Sequence, residues 1–163
     1  MKIKRVRAYL PPNPNQLFNQ SDVVVTIETD AGITGIGEGG SKDMLSQSAG
    51  RLIGCDPQHI ELLWQDMNRA FFYPAGREKT HAIGALDLAL WDIRGKALGA
   101  PVYELLGGAR RKTFRCYATH PLGRNLEETS RFASILRDQG FSAVKFGWRP
   151  LGQDPIQDEA IVR

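Results

Sequence analysis

Long apolar runs are missing from this chain. No stretch approaches the ~18 consecutive apolar residues of a membrane-spanning helix, which excludes a membrane partner of that kind. The N-terminal Met1-Lys-Ile-Lys-Arg-Val-Arg7 mixes charged with apolar residues and has no signal-peptide core. Cysteine is scarce as well. Cys55 and Cys116 stand far apart with no C-x-x-C spacing, which excludes a disulfide framework and predicts two reduced, buried thiols in a cytoplasmic protein. Of the three histidines, His59 and His81 lack the partner spacing of metal ligands. A concentrated basic stripe is also absent. The net charge of +3 comes from scattered residues with small clusters at Lys2–Arg7 and Arg110–Lys112, so no nucleic-acid partner is expected.

What remains is a soluble chain with 163 residues and 42% apolar content, enough for an ordinary domain with a core. It is too short to add a complete (β/α)8 barrel, which takes ~250 residues by itself. Ile3–Tyr9, Val23–Thr29 and Ile33–Glu38 read as strands, the last two joined by Asp30-Ala31-Gly32. They predict a three-stranded antiparallel meander. Three helices should follow. The first spans Lys42–Ile53. The second begins after Asp56 as N-cap and Pro57 as first helical residue, and carries Ile60, Leu63, Trp64 and Met67. The third carries a stripe of Ile83, Leu86, Leu90, Ile93 and Ala97, whose spacing predicts core packing. Asp92 and Lys96 form an i,i+4 pair on it, and Gly99 with Pro101 stops it.

After Gly107-Gly108 the pattern changes. Phe114–Thr119 reads as a strand, Asn125 with Glu128 as a capping box opening a helix, and Ala143–Phe146 as a second strand. Strand, helix and strand over about thirty residues make a βαβ unit with parallel strands. Asp154–Arg163 begins a further helix.

The segment Ala85-Leu-Asp-Leu-Ala-Leu-Trp-Asp-Ile-Arg-Gly-Lys-Ala-Leu-Gly-Ala-Pro-Val-Tyr-Glu-Leu-Leu-Gly-Gly108 resembles the signature near the end of the capping domain in mandelate racemase/muconate lactonising enzymes of the enolase superfamily. Thr34-Gly-Ile-Gly-Glu-Gly39 is similar to the third meander strand of that domain, and Gly140-Phe-Ser-Ala-Val-Lys-Phe146 to the family's second barrel strand. The resemblance implies an α+β capping domain over residues 1–110. Residues 111–163 would be the start of a (β/α)8 TIM-type barrel, truncated after about two strands. It also implies a Mg²⁺-dependent enzyme that removes the proton α to the carboxylate of a small hydroxy acid. The metal would stabilise the enediolate, a charge that develops only along the reaction. Its ligands, on the third to fifth barrel strands, would lie beyond Arg163. An acid-sugar dehydratase, homo-oligomeric at full length, is the expected parent, and the isolated chain is expected to be inactive.

The expected catalytic residue is Lys145. Val144 and Phe146 share one face of their strand and suit the outer helices, which turns Lys145 toward the barrel mouth, where active sites of such barrels lie. Many relatives carry Lys-x-Lys here, with the second lysine as a base. Lys145-Phe146-Gly147 lacks it, which argues against a racemase or epimerase using that base and leaves dehydration open. By the same resemblance, two loops close over the mouth: Pro11–Ser21, with Asn13, Asn15, Phe18 and Asn19, and Phe71–Arg77, with Phe72, Tyr73 and Arg77. The amides and Arg77 suit a hydroxylated, anionic substrate; the aromatics would exclude water. His120, after the first barrel strand, could reach the same place.

Two readings from other classes compete. Gly35-Ile-Gly37-Glu-Gly-Gly40 matches G-x-G-x-x-G between a strand and a helix, as in a dinucleotide-binding module. That fingerprint needs a parallel βαβ unit, whereas the hairpin before it dictates antiparallel pairing. A non-catalytic interaction domain is the other alternative, though no partner-binding stripe stands out.

Overall fold

The computed structural model describes residues 1–10, 22–70, 76–147, 152 and 154–162. The chain divides into two compact units, Met1–Ala109 and Arg110–Arg163.

The first unit opens with β1 (Ile3–Tyr9), β2 (Val24–Thr29) and β3 (Thr34–Glu38), paired antiparallel in the order β1-β2-β3. The turn between β2 and β3 is closed by the Thr29 hydroxyl, which accepts from Ile33 N at 3.1 Å and donates to Ile33 O at 2.9 Å. Gly32 takes φ 77°, a left-handed conformation that costs a side-chain-bearing residue energy. Alternation along β2 sends Val25, Ile27 and Thr29 into the core and leaves Val24 exposed. A bulge between Ile3 and Arg5 accounts for the broken alternation of β1. The outer edge of β1 is closed at Ile3, whose N–H donates to Cys55 O and whose C=O accepts from Gly54 N, both at 2.9 Å.

Helix α1 (Lys42–Ala49) is shorter than its pattern suggests. Beyond it, Arg51 N donates to Ser48 O and Leu52 N to Ala49 O, which tightens the chain into successive turns. The turns bury Leu52 completely and leave Ile53 half-exposed. The second helix, α2 (Ile60–Arg69), starts later than expected and its N-cap position is His59, not Asp56. Asp56 instead folds the preceding turn: its side chain accepts from Gln58 N at 3.0 Å and its C=O from His59 N. Ile60, Leu63 and Met67 of α2 are buried as expected.

Helix α3 (Arg77–Leu98) is the centre of the unit. Ile83, Leu86, Leu90 and Ile93 are buried, together with Ala82, Ala85 and Ala89. Ala97 is not part of this core. It lies in the last turn, where residues 96–99 are all exposed. Gly99, at φ 64°, ends the helix, and Ala100 N donates back to Gly95 O. The short α4 (Val102–Leu105) follows.

The second unit consists of β4 (Ala118–Pro121), α5 (Leu126–Asp138), β5 (Val144–Gly147) and α6 (Pro155–Val162), with β4 and β5 parallel. Strand β4 begins four residues later than its sequence pattern suggests. Phe114 and Tyr117 are exposed, so apolar character there does not reflect sheet pairing. Both cysteines are free, but neither is buried: Cys55 is half-buried and Cys116 exposed.

Candidate functional site

The strand carrying Lys145 is fixed by its neighbour. In the β4–β5 register Ala118 lies beside Val144, Thr119 beside Lys145 and His120 beside Phe146. The two faces of this pair differ in chemistry. On one, the His120 ring packs at a tilt against Phe132 of α5 with centroids 4.2 Å apart, and meets Phe146 edge-on at 6.3 Å. That face is the helix side. Alternation puts Lys145 and Thr119 on the opposite face, near the C-terminal ends of both strands. Lys145 is exposed there.

His120 therefore does not join Lys145. It lies within β4 rather than after it, its ring turned to the helix side, and its Nδ1 is 2.8 Å from Pro121 O. Arg77 sits at the start of α3, exposed, and pairs with the adjacent Glu78 at 3.0 Å. It belongs to the first unit, Lys145 to the second. Asn13, Asn15, Phe18, Asn19, Phe72 and Tyr73 lie outside the described residues.

The connection from β4 to α5 is rigidly specified. Asn125 Oδ1 accepts from Glu128 N at 2.9 Å, as the capping box predicts. The reciprocal bond reaches one residue further back, from Arg124 N to Glu128 Oε2 at 2.6 Å. Buried Thr129 adds two more bonds, accepting from Gly123 N and donating to Asn125 O. Gly123 is required here, because a Cβ would lie 2.6 Å from Thr129 N. Of the first N–H groups of α5, that of Glu128 is thus engaged by the cap. The sequence pattern shows the cap; Thr129 as its second anchor carries no signal of its own.

The glycine-rich Gly35–Gly40 segment has a packing role. A Cβ on Gly35 would stand 2.0 Å from Ala89 O, and one on Gly37 1.9 Å from Ala85 O. These glycines let α3 press directly on β3. Two polar side chains of α3 also close the free edge of that strand: Asp92 Oδ2 accepts from Ile36 N at 2.8 Å, and Lys96 Nζ donates to Thr34 O at 2.7 Å. The same two groups bond each other at 2.7 Å. The i,i+4 pair legible in the sequence is therefore an edge clamp.

Elsewhere in the first unit, burial pushes the Lys79 ammonium below its ordinary range while it donates to Asn68 O at 2.8 Å, a cap on the end of α2. Burial, and secondarily the charge of Glu61, raises the Asp87 carboxyl above its ordinary value. Among the described residues no three His, Cys, Asp or Glu side chains converge to hold a metal ion. The described residues thus do not fit a Mg²⁺ site. No helix among them is long and apolar enough to cross a membrane.

Residues 14–107 match the family model for the mandelate racemase / muconate lactonizing enzyme N-terminal domain. A D-galactonate dehydratase of Xanthomonas oryzae pv. oryzae is 40% identical over 156 residues, 90% of this chain. The chain spans 38% of that relative's length. A D-galactonate dehydratase of Ralstonia pickettii is 44% identical over 125 residues, which are 72% of this chain and 31% of the relative. Among solved structures, a member of the enolase superfamily from Salmonella Typhimurium matches with TM-score 0.76 and 31% identity, over 89% of this chain and 42% of its own. The 3,6-anhydro-D-galactonate cycloisomerase of Zobellia galactanivorans matches with TM-score 0.74 and 32% identity, over 90% and 42%. With a meander and helices followed by a parallel βαβ start, and a family match across most of its first unit, the chain belongs to the mandelate racemase/muconate lactonizing enzyme family of the enolase superfamily.

Proposed function

We propose that the chain is the N-terminal part of a Mg²⁺-dependent acid-sugar dehydratase. Residues 1–110 are its capping domain and residues 111–163 the first βα units of its barrel. The observation that carries this reading is the 40% identity to a D-galactonate dehydratase, which runs over 90% of the chain and so through both units. In such a dehydration the proton α to the carboxylate is removed and the hydroxyl on the next carbon leaves, so that water is lost overall. By the family resemblance, a Mg²⁺ ion would be held by residues of the parent protein outside this chain and would supply Lewis-acid chemistry at the substrate carboxylate.

Lys145 is the residue of this chain with a role in that chemistry. Alternation places it on the face of β5 opposite Phe146, toward the C-terminal ends of the two parallel strands. There it can pair with the substrate carboxylate and with the charge that grows on it as the proton leaves. The absence of a second lysine at Gly147 supports dehydration over a two-base racemisation. By the family resemblance, Arg77 is assigned to binding the hydroxylated remainder of the substrate.

The test is Lys145→Met in the full-length parent, assayed with Mg²⁺ over a panel of aldonic and aldaric acids including D-galactonate. Losing a charge-assisted contact that strengthens toward the transition state should cost ~3 kcal/mol, roughly a hundredfold in kcat/KM. Melting temperature should stay near wild type. A variant that keeps most of its kcat/KM removes Lys145 from the mechanism. A parent that dehydrates no acid sugar removes the reading itself.

A further inference from the structure

Lys79 stands against two local preferences at once. It is the third residue of α3, where the partial positive charge of a helix N-terminus disfavours a cation and a carboxylate is the usual choice. It is also only 6% exposed, although lysine ordinarily keeps its ammonium in water. A side chain so placed calls for a compensating interaction. Lys79 finds one at the end of the preceding helix. Its Nζ donates to Asn68 O at 2.8 Å, one of the last carbonyls of α2, beyond the reach of that helix's own N–H groups. The negative end of α2 thus receives the cation that the positive end of α3 disfavours.

The same two helix ends are held by further bonds. Ala70, the C-cap of α2, accepts from Arg51 Nη2 over a longer 3.5 Å. Gly76, the N-cap of α3, accepts from both the backbone N–H and the hydroxyl of Thr80, each at 3.0 Å. Arg77 comes immediately after this cap; it is exposed, and the first turn sets its direction. We propose that Lys79 is a positioning residue for substrate binding: it ties the first turn of α3 to the last turn of α2 and so fixes the point from which Arg77 reaches the substrate. The inference rests on the role given to Arg77 above. Positioning explains Lys79 better than stability does. A methionine of similar volume would fill the same space without desolvating a charge, and replacing buried charge by apolar groups is often neutral or stabilising. What methionine cannot do is hold Asn68 O, and with it the turn. A binding group displaced by about 1 Å loses much of its effect, even when the change lies far from the chemistry.

Two measurements test it. On the chain itself, residue-resolved amide exchange and thermal melts compare Lys79→Met with wild type. Exchange at Thr80, whose N–H closes the first turn of α3, should speed up by ~10-fold or more, while Leu86 and Leu90 keep their wild-type rates and Tm does not fall. A purely structural cap would instead lower Tm and raise exchange along the whole helix. In the full-length parent, Lys79→Met should raise KM for the acid sugar by ~10-fold and leave kcat within about twofold. In an Arg77→Ala background the same change should move KM by less than about twofold, because a contact already lost cannot be misplaced. Unchanged exchange at Thr80, a lowered Tm with exchange raised throughout α3, or KM losses that simply multiply would each overturn the inference. A parent that turns over no acid sugar overturns the functional reading, and the substrate role of Lys79 with it; the exchange at Thr80 tells that failure apart from a failure of the tie itself.

Discussion

Replacing Gly37 by alanine isolates the contact on which the first unit is built. The added Cβ would stand 1.9 Å from Ala85 O, 3.0 Å from the carbonyl carbon and 3.2 Å from Ala89 N. All three neighbours are backbone of α3, so no side chain can swing away. Reaching even a tight contact of 3.0 Å requires about 1.1 Å of separation between strand and helix. Such a shift would loosen Leu86, Leu90 and Ile93 against Val25 and Ile27, all fully buried, and lengthen the bonds from Asp92 and Lys96 to β3. Overpacking of a well-packed core typically costs 1–3 kcal/mol; with rigid backbone as the obstacle, ~3 kcal/mol or more is expected. Urea denaturation followed by far-UV circular dichroism measures it. Gly32→Ala is the control: nothing lies within 4 Å of its Cβ, but φ is 77°, so the loss should be only ~1–2 kcal/mol from backbone strain. A Gly37→Ala chain as stable as wild type, or less affected than Gly32→Ala, would refute the close-packing argument.

Asp92→Ala should cost ~1–2 kcal/mol and speed amide exchange at Ile36 above that of its neighbours, since that N–H loses a charged acceptor at 2.8 Å; unchanged exchange would dissolve the clamp. Asn125→Ala removes the cap of α5 and should cost ~1 kcal/mol, with Asn125→Asp retaining most of it, as read from thermal melts. Asp87→Asn should stabilise the chain at neutral pH. Because the folded-state pKa of Asp87 lies above its unfolded value, the folded state binds more protons between the two, so stability falls as pH rises through that window. The asparagine variant should lack that fall, and identical pH profiles for the two chains would sink the reasoning.

Periodic features were legible. The meander, the α3 stripe from Ile83 to Ile93 and the parallel βαβ start all follow from spacing, because burial of one face is a local pattern the sequence must repeat. Ends were less so. Whether α1 runs to Ile53 is decided by how Leu52 reaches the core, and whether α2 begins at Pro57 by a turn that Asp56 folds for itself. Strand β4 starts at Ala118 because its partner starts at Val144, a long-range fact absent from Phe114–Tyr117. At the candidate site, alternation along β5 separates Lys145 from Phe146, but His120 depended on one residue of register. Placed after the strand it could turn either way; placed within β4 it must share a face with Phe146.

The polar residues of α3 show how a motif can be visible and still be misread. Asp92 and Lys96 look like an exposed helical pair worth a few tenths of a kcal/mol. Their partners, Ile36 N and Thr34 O, are backbone groups, which have no signature in any sequence. The same holds for Gly35 and Gly37. Their spacing invites a phosphate-binding reading, yet what they approach is the backbone of Ala85 and Ala89 on a helix some fifty residues later. Both features serve one requirement: a helix pressed flush against the edge strand of a small sheet needs strand positions without side chains and helix side chains that satisfy the open edge. Glycine on β3 and a charge pair on α3 are thus two halves of one packing solution. A Gly37→Ala, Asp92→Ala double variant should accordingly lose less stability than the two single losses added. Separation of helix from strand breaks the clamp once, and it cannot be broken again. A double-mutant cycle with strictly additive losses would show instead that the contact and the clamp act independently.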